Sequence, residues 1–174
     1  MSRITLPSRA IRLLLILVVL ACTAGCDQTT KHLARTELSQ LRSAAPPGGF
    51  IEFTLAENPG AFLSFGASIP DIAQGALLTV GVALGLSFLL IYLVRTSNFR
   101  WLPFLGLAMV WAGGMSNLFD RIARHGLVTD FIVIRFGPLH TGVFNLADVV
   151  IMAGIAILVV STFEGRLPSK RSCH

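Results

Sequence analysis

Charge is absent from long stretches of this chain, and those gaps restrict its fold more than any local propensity. Residues 13–26 are uncharged between Arg12 and Asp27, 72–94 between Asp71 and Arg95, and 101–119 between Arg100 and Asp120. From Phe136 to Phe163 the single charged residue is Asp148. A bilayer core of about 30 Å is crossed by about 20 helical residues, so the second, third and fourth runs are long enough to span it. The first is short and is expected to borrow Ile11 and a snorkelling Arg12. The pattern predicts an α-helical membrane protein with four spans, at about 11–26, 72–94, 101–119 and 143–163. These form one integral membrane domain over 1–174, with outer loops at 27–71 and 120–142. A hydrophobic fraction of 53% against 13% charged residues excludes an ordinary water-exposed surface.

The basic residues then orient the bundle, because Lys and Arg resist translocation while acids matter little. With four spans both termini share a side, which holds Arg3, Arg9, Arg12, Arg95, Arg100, Arg166, Lys170 and Arg171 with Glu164 as its only acid. The other side holds the remaining six basic residues and eight acids, counting Asp148 near its membrane edge. The termini are therefore expected in the cytoplasm and the carboxylates on the outer side. A net charge of +5 hints at nucleic acid, but the basic residues flank apolar segments and no aromatic-interleaved basic stripe exists. Cys22, Cys26 and Cys173 cannot build a disulfide framework, and no CxxC or HExxH offers a metal site. His32, His125, His140 and His174 lack ligand spacing and read as surface or interface residues.

The first outer loop is long enough for structure of its own. Pro46-Pro47-Gly48-Gly49 reads as a turn, and Phe50-Ile51-Glu52-Phe53-Thr54-Leu55, rich in β-branched and aromatic residues, as a strand. A second extended piece is expected at Ala61-Phe62-Leu63-Ser64-Phe65 after the turn at Asn58-Pro59-Gly60, giving a small sheet on the membrane surface. Phe62 and Phe65 either form a wall for a lipid or hydrophobic peptide or rest at the bilayer interface; spacing alone leaves both open.

Acids at the outer ends of the last two spans carry the chemistry. Asn117-Leu118-Phe119-Asp120-Arg121 closes the third span, Val128-Thr129-Asp130-Phe131-Ile132 lies in an apolar stretch beyond it, and Phe144-Asn145-Leu146-Ala147-Asp148 opens the fourth. An unpaired carboxylate at the depth of Asp148 costs several kcal/mol or takes up a proton, so it needs a partner or a function. Two acids brought together there would share one proton, the arrangement an aspartic protease uses to activate water. The competing structural reading pairs Asp120 with Arg121 or Arg124, and Asp148 with a helix neighbour. It suits Asp120 best. Asn117 and Asn145 each lie three residues before an Asp, one helical turn away, and are expected to bond that acid on the same face.

At these residues the chain resembles the lipoprotein signal peptidase (signal peptidase II) family. The likeness covers about residues 11–163 through five blocks in the family's order: Asp27-Gln28-Thr29-Thr30-Lys31, Asn58-Pro59-Gly60-Ala61, Asn117-Leu118-Phe119-Asp120-Arg121, Val128-Thr129-Asp130-Phe131 and Phe144-Asn145-Leu146-Ala147-Asp148. The resemblance implies an intramembrane aspartyl endopeptidase with Asp130 and Asp148 as catalytic pair and Asp120 as a structural acid. It assigns Asn117, Arg121 and Asn145 to the dyad's polar surroundings, and Asp27, Asn58 and Gly60 to substrate handling or site architecture. It further implies four transmembrane helices with a small periplasmic β-cradle and a short surface helix, no cofactor, a monomer among membrane lipids, and diacylglyceryl prolipoproteins cut N-terminal to the lipidated cysteine. The implied location is the bacterial inner membrane. The sequence departs from the family pattern at Phe62-Leu63, at Ser116 where a glycine is common, and in a segment from Arg121 to Asp130 one residue longer than usual.

Two rival classes remain at the level of sequence. Val18-Val19-Leu20-Ala21-Cys22, behind Arg3, Arg9 and Arg12, has the form of a lipobox, which would make the chain a lipoprotein processed at Cys22; Ala24-Gly25-Cys26 is a poorer candidate. The alternative is a first span with small residues near its outer end. The other rival is a non-catalytic carrier, channel or assembly factor whose membrane acids bind ions or hold the bundle.

Overall fold

A computed structural model describes residues 8–39, 50–60, 71–96 and 100–164. Four helices, α1 (Arg9–Glu37), α2 (Asp71–Arg95), α3 (Trp101–Ala123) and α4 (Leu146–Glu164), are joined by a three-stranded antiparallel sheet of β1 (Ile51–Asn58), β2 (Val128–Phe136) and β3 (Leu139–His140). All four helices are long and apolar enough to cross a membrane. Their outward faces carry Leu84, Phe88, Met152 and Phe163, each more than half exposed, which suits acyl chains and not water.

Helix α3 lies at the centre, touching each of the other three, whereas α2 and α4 make no contact among the described residues. Its buried side includes Phe104, Ala108, Trp111 and Ala112, packed with Ile16 of α1 and Leu86 and Leu93 of α2. The Trp111 indole donates to the Leu86 carbonyl at 3.1 Å. Small residues let α4 come closer still. A Cβ on Gly113 would lie 2.7 Å from the Ala147 carbonyl oxygen, so only glycine permits this approach.

Helix α1 runs well past its expected end at residue 26. Twenty-nine residues rise about 44 Å, more than the bilayer core, so its last turns stand beyond the apolar layer. What prolongs it is a buried stripe at Ile16, Thr23, Asp27, Lys31 and Ala34, spaced at helical intervals and covered by α3 and β2. Cys22 and Cys26 are exposed on this unbroken helix. Arg12 does not snorkel to water: it is buried, and its guanidinium donates to the Thr96 carbonyl and, at 3.3 Å, to that of Val94, closing the end of α2.

The expected strand at 50–55 is β1, but its partner is β2 from the second outer loop. The extended piece expected at 61–65, with Phe62 and Phe65, and the turn at 46–49 lie outside the described residues. The pairing aligns Ala56 with Asp130 and Asn58 with Val128, with an irregularity between Phe53 and Ala56. Asn58 and Asp130 are thus diagonal neighbours on one face of the sheet. Phe144, just before α4, exchanges backbone hydrogen bonds with Ile132 and accepts one from Phe131. The start of α4 is thereby tied beside Asp130.

Candidate active site

The polar residues converge at one end of the bundle, from the outer half of α1, the end of α3, the start of α4 and the inner face of the sheet. Asn145 and Asp148 form a reciprocal cap: the Asp148 N–H donates to Asn145 Oδ1 at 3.0 Å, and the Asn145 N–H to Asp148 Oδ2 at 3.2 Å. This cap starts α4 and fixes both side chains. The Asn145 amide nitrogen then donates to Asp130 Oδ1 at 2.6 Å, so one residue touches both acids. Asn58 donates to Asp130 Oδ2 at 2.9 Å, and Asn117 to Asp148 Oδ1 at 2.8 Å.

All four carboxylate oxygens of Asp130 and Asp148 therefore accept an N–H. Asp130 is 2% exposed, and burial is the main reason its carboxyl is pushed above the ordinary range. The hydrogen bonds from Asn58 and Asn145 oppose that shift, the neighbouring Asp148 adds to it, and Lys31 opposes it.

Behind the two acids lies a buried ionic cluster. Lys31 Nζ contacts Asp27 Oδ2 at 2.7 Å, Asp120 Oδ2 at 3.0 Å and Asn117 Oδ1 at 2.9 Å. Asp27 also accepts from the Ala147 N–H at 2.9 Å and the Ser116 hydroxyl at 2.7 Å; Asp120 accepts from Gln28 at 3.0 Å and the Thr129 N–H at 3.1 Å. Asp120 is an ion-paired acid, but its partner is Lys31; Arg124 pairs instead with Glu57. Ser116 adds a donor to Asp27 that glycine could not. Asn117 does not bond Asp120 on its own helix: it reaches across to Asp148, Lys31 and Asn145. The sequence reading missed Lys31 as the centre of this cluster, although its spacing of four from Asp27 carried the signal.

Gly60 and Arg121 meet at the edge of the site. The Gly60 N–H donates to Asn58 Oδ1 at 2.7 Å, which turns the Asn58 amide nitrogen toward Asp130. Gly60 has φ +78°, and a Cβ there would lie 3.2 Å from Arg121 Nη2. Arg121 is within electrostatic reach of Asp148, Asp130 and Asp120, and its Nε has no hydrogen-bond partner among the described residues. Its side chain also borders a largely apolar groove of about 550 Å³ against Gly75, Thr79 and Val80 of α2.

Comparison with known proteins gives the family of the chain. The family described as Signal peptidase (SPase) II matches residues 17–164. The chain is 34% identical over 152 residues to the lipoprotein signal peptidase of Syntrophus aciditrophicus, spanning 85% of this chain and 94% of that one. It is 36% identical over 169 residues to the lipoprotein signal peptidase of Xylella fastidiosa (strain M12), spanning 95% and 96%. A solved bacterial membrane enzyme, determined by the in meso method, shares the fold with a TM-score of 0.71 over 86% of this chain and 92% of that one, at 20% identity. With its four spans and its family match over most of its length, this chain belongs to the signal peptidase II family.

Proposed function

We propose that Asp130 and Asp148 are the catalytic dyad of an aspartyl endopeptidase that removes signal peptides from diacylglyceryl prolipoproteins, cutting N-terminal to the lipidated cysteine. Membership of the family makes the chain a lipoprotein signal peptidase in a bacterial membrane. The observation that carries the dyad assignment is Asn145, which donates to one acid from its side chain and to the other from its backbone. The other two carboxylates with a shared donor, Asp27 and Asp120, are ion-paired with the Lys31 ammonium, whereas the donor between Asp130 and Asp148 is a neutral asparagine.

Position separates the roles. Asp148 sits in the first turn of α4, where the helix dipole favours a negative charge, and serves as the base. Asp130, buried on β2 and shifted upward, holds the proton and serves as the acid. Water attacks the scissile carbonyl and gives a proton to Asp148 while Asp130 protonates the carbonyl oxygen. The resulting diol collapses: the C–N bond breaks, the cysteine nitrogen takes the proton from Asp148, and a diol hydroxyl returns one to Asp130. The dyad is restored without metal or covalent intermediate.

The groove beside Arg121 supports an acyl-bearing substrate entering from the lipid between α2 and α3. The lipobox reading is disfavoured, since cutting before Cys22 would sever Arg12 and Ile16 from the bundle they help to hold. Asp130→Asn and Asp148→Asn are each expected to abolish cleavage of a diacylglyceryl prolipoprotein in an assay with purified, inserted protein. Turnover by either variant would remove the assignment. The unlipidated form of the same substrate should be cleaved far more slowly.

A further inference from the structure

We propose that Lys31 is a positioning residue for the dyad, its ammonium fixing which way the Asn117 amide points and so which atom of Asn117 faces Asp148. The proposal rests on the assignment of Asp130 and Asp148 above.

Lys31 is fully buried, and its ammonium has three N–H donors and no lone pair. Three acceptors surround it: Asp27 Oδ2, Asp120 Oδ2 and Asn117 Oδ1, at 2.7, 3.0 and 2.9 Å. Every donor is used, and the Asn117 atom facing Lys31 must be oxygen. The amide nitrogen is then turned to Asp148 Oδ1 at 2.8 Å.

The two ends of an asparagine amide are nearly the same size, so only neighbours decide its orientation. Asn145 also donates to Asn117 Oδ1, at 3.1 Å, and opposes rotation. Removing the ammonium nonetheless reverses the local preference. It leaves two carboxylate oxygens, from Asp27 and Asp120, facing Asn117 with no donor from Lys31, and both attract the N–H that Asp148 now receives. A rotated Asn117 would present its oxygen to Asp148, replacing an attraction with a repulsion at the proposed base. Lys31 touches neither acid of the dyad: its contact route to them is Asn117, beside a weaker through-space effect of its charge on Asp130.

Lys31→Met tests this, with kcat and KM measured per folded enzyme on a lipidated prolipoprotein. The expected result is a fall in kcat of about tenfold or more with KM within about twofold, because the base is misaligned while the substrate groove is untouched. In the background of Asn117→Ala the same substitution should cause a much smaller further loss, since its contact route to Asp148 is already gone and only its charge on Asp130 is left. Lys31→Gln, which keeps N–H donors for the carboxylates and threatens folding less, is read through the same cycle. Unchanged kcat in folded Lys31→Met or Lys31→Gln, or losses that multiply with Asn117→Ala, would overturn the proposal. So would failure of both Lys31 variants to fold, which assigns Lys31 to the fold alone. Asp148→Asn separates the two claims: turnover there removes the dyad, whereas an inactive Asp148→Asn beside fully active Lys31 variants removes only the role of Lys31.

Discussion

Each amide around the proposed dyad is oriented by a group that can only donate: Lys31 for Asn117, the Asp148 N–H for Asn145 and the Gly60 N–H for Asn58. Their nitrogens are left to face the acids, so a proton on the dyad must occupy a lone pair that no amide takes. For Asp130 this has a consequence for stability. Its folded carboxyl titrates above the ordinary value of 3.8, chiefly through burial, so the folded state binds its proton more tightly than the unfolded chain does. That contribution is fully present below the ordinary value and is lost as pH rises through the raised one. Asp130→Asn lacks the titration. The difference in thermal midpoint, variant minus wild type in detergent, should therefore grow from acidic to neutral pH; a flat difference would mean that Asp130 is not the shifted group. The resemblance singles out Asp130 and Asp148 as the proposed dyad, while spacing marks them only as candidates beside Asp120. The partners of Asn117 were not legible, because helical periodicity says which residues share a face and not which helix that face meets.

At the scale of elements, the closest seam is α3 against α4, and it positions the site. Gly113 lies under Ala147, whose N–H donates to Asp27, and under Ile151, whose Cγ1 would stand 2.7 Å from an added Cβ. Gly113→Val is expected to push the first turn of α4 outward, lowering stability by about 1–3 kcal/mol and separating Asp148 from Asn117. Gly85→Val is the control, since nothing lies within 4 Å of a Cβ there. Thermal midpoints and specific activity should both fall for the first and stay near wild type for the second; equal effects would place the seam elsewhere. Charge gaps predicted the second and third spans within a few residues, because exclusion of charge from lipid is what defines them. They failed at α1, whose outer half is held by a buried ion pair, so charge there marks continuation of the helix and not its end. They also hid β2: Val128, Thr129 and Phe131 look like an apolar approach to the next span, and only pairing with β1 makes them a strand.

For the whole molecule, the fold makes direction across the membrane a single choice. The site gathers the last turns of α1 and α3 and the first turn of α4, so one end of the bundle holds all of it, whereas Arg12 meets Thr96 toward the other. The site end carries six basic residues by sequence and the opposite end eight, and three of the six, Lys31, Arg124 and Arg135, are ion-paired with Asp27, Asp120, Glu57 and Glu52. By sequence the larger count of basic residues thus lies opposite the site, which supports cytoplasmic termini and an outward-facing dyad. The chain supplies its own probe, because Cys173 is in the C-terminal tail while Cys22 and Cys26 are on the shaft of α1. In a Cys22→Ala, Cys26→Ala background, a membrane-impermeant thiol reagent added to intact spheroplasts should leave Cys173 unlabelled until the membrane is opened. Moving the thiol to the sheet, as Phe50→Cys with Cys173→Ala, should reverse the pattern, since Phe50 is 64% exposed beside β1 at the site end. Labelling of Cys173 in intact spheroplasts would invert the molecule and place the dyad in the cytoplasm, where the signal peptide of an exported lipoprotein no longer presents its lipidated cysteine.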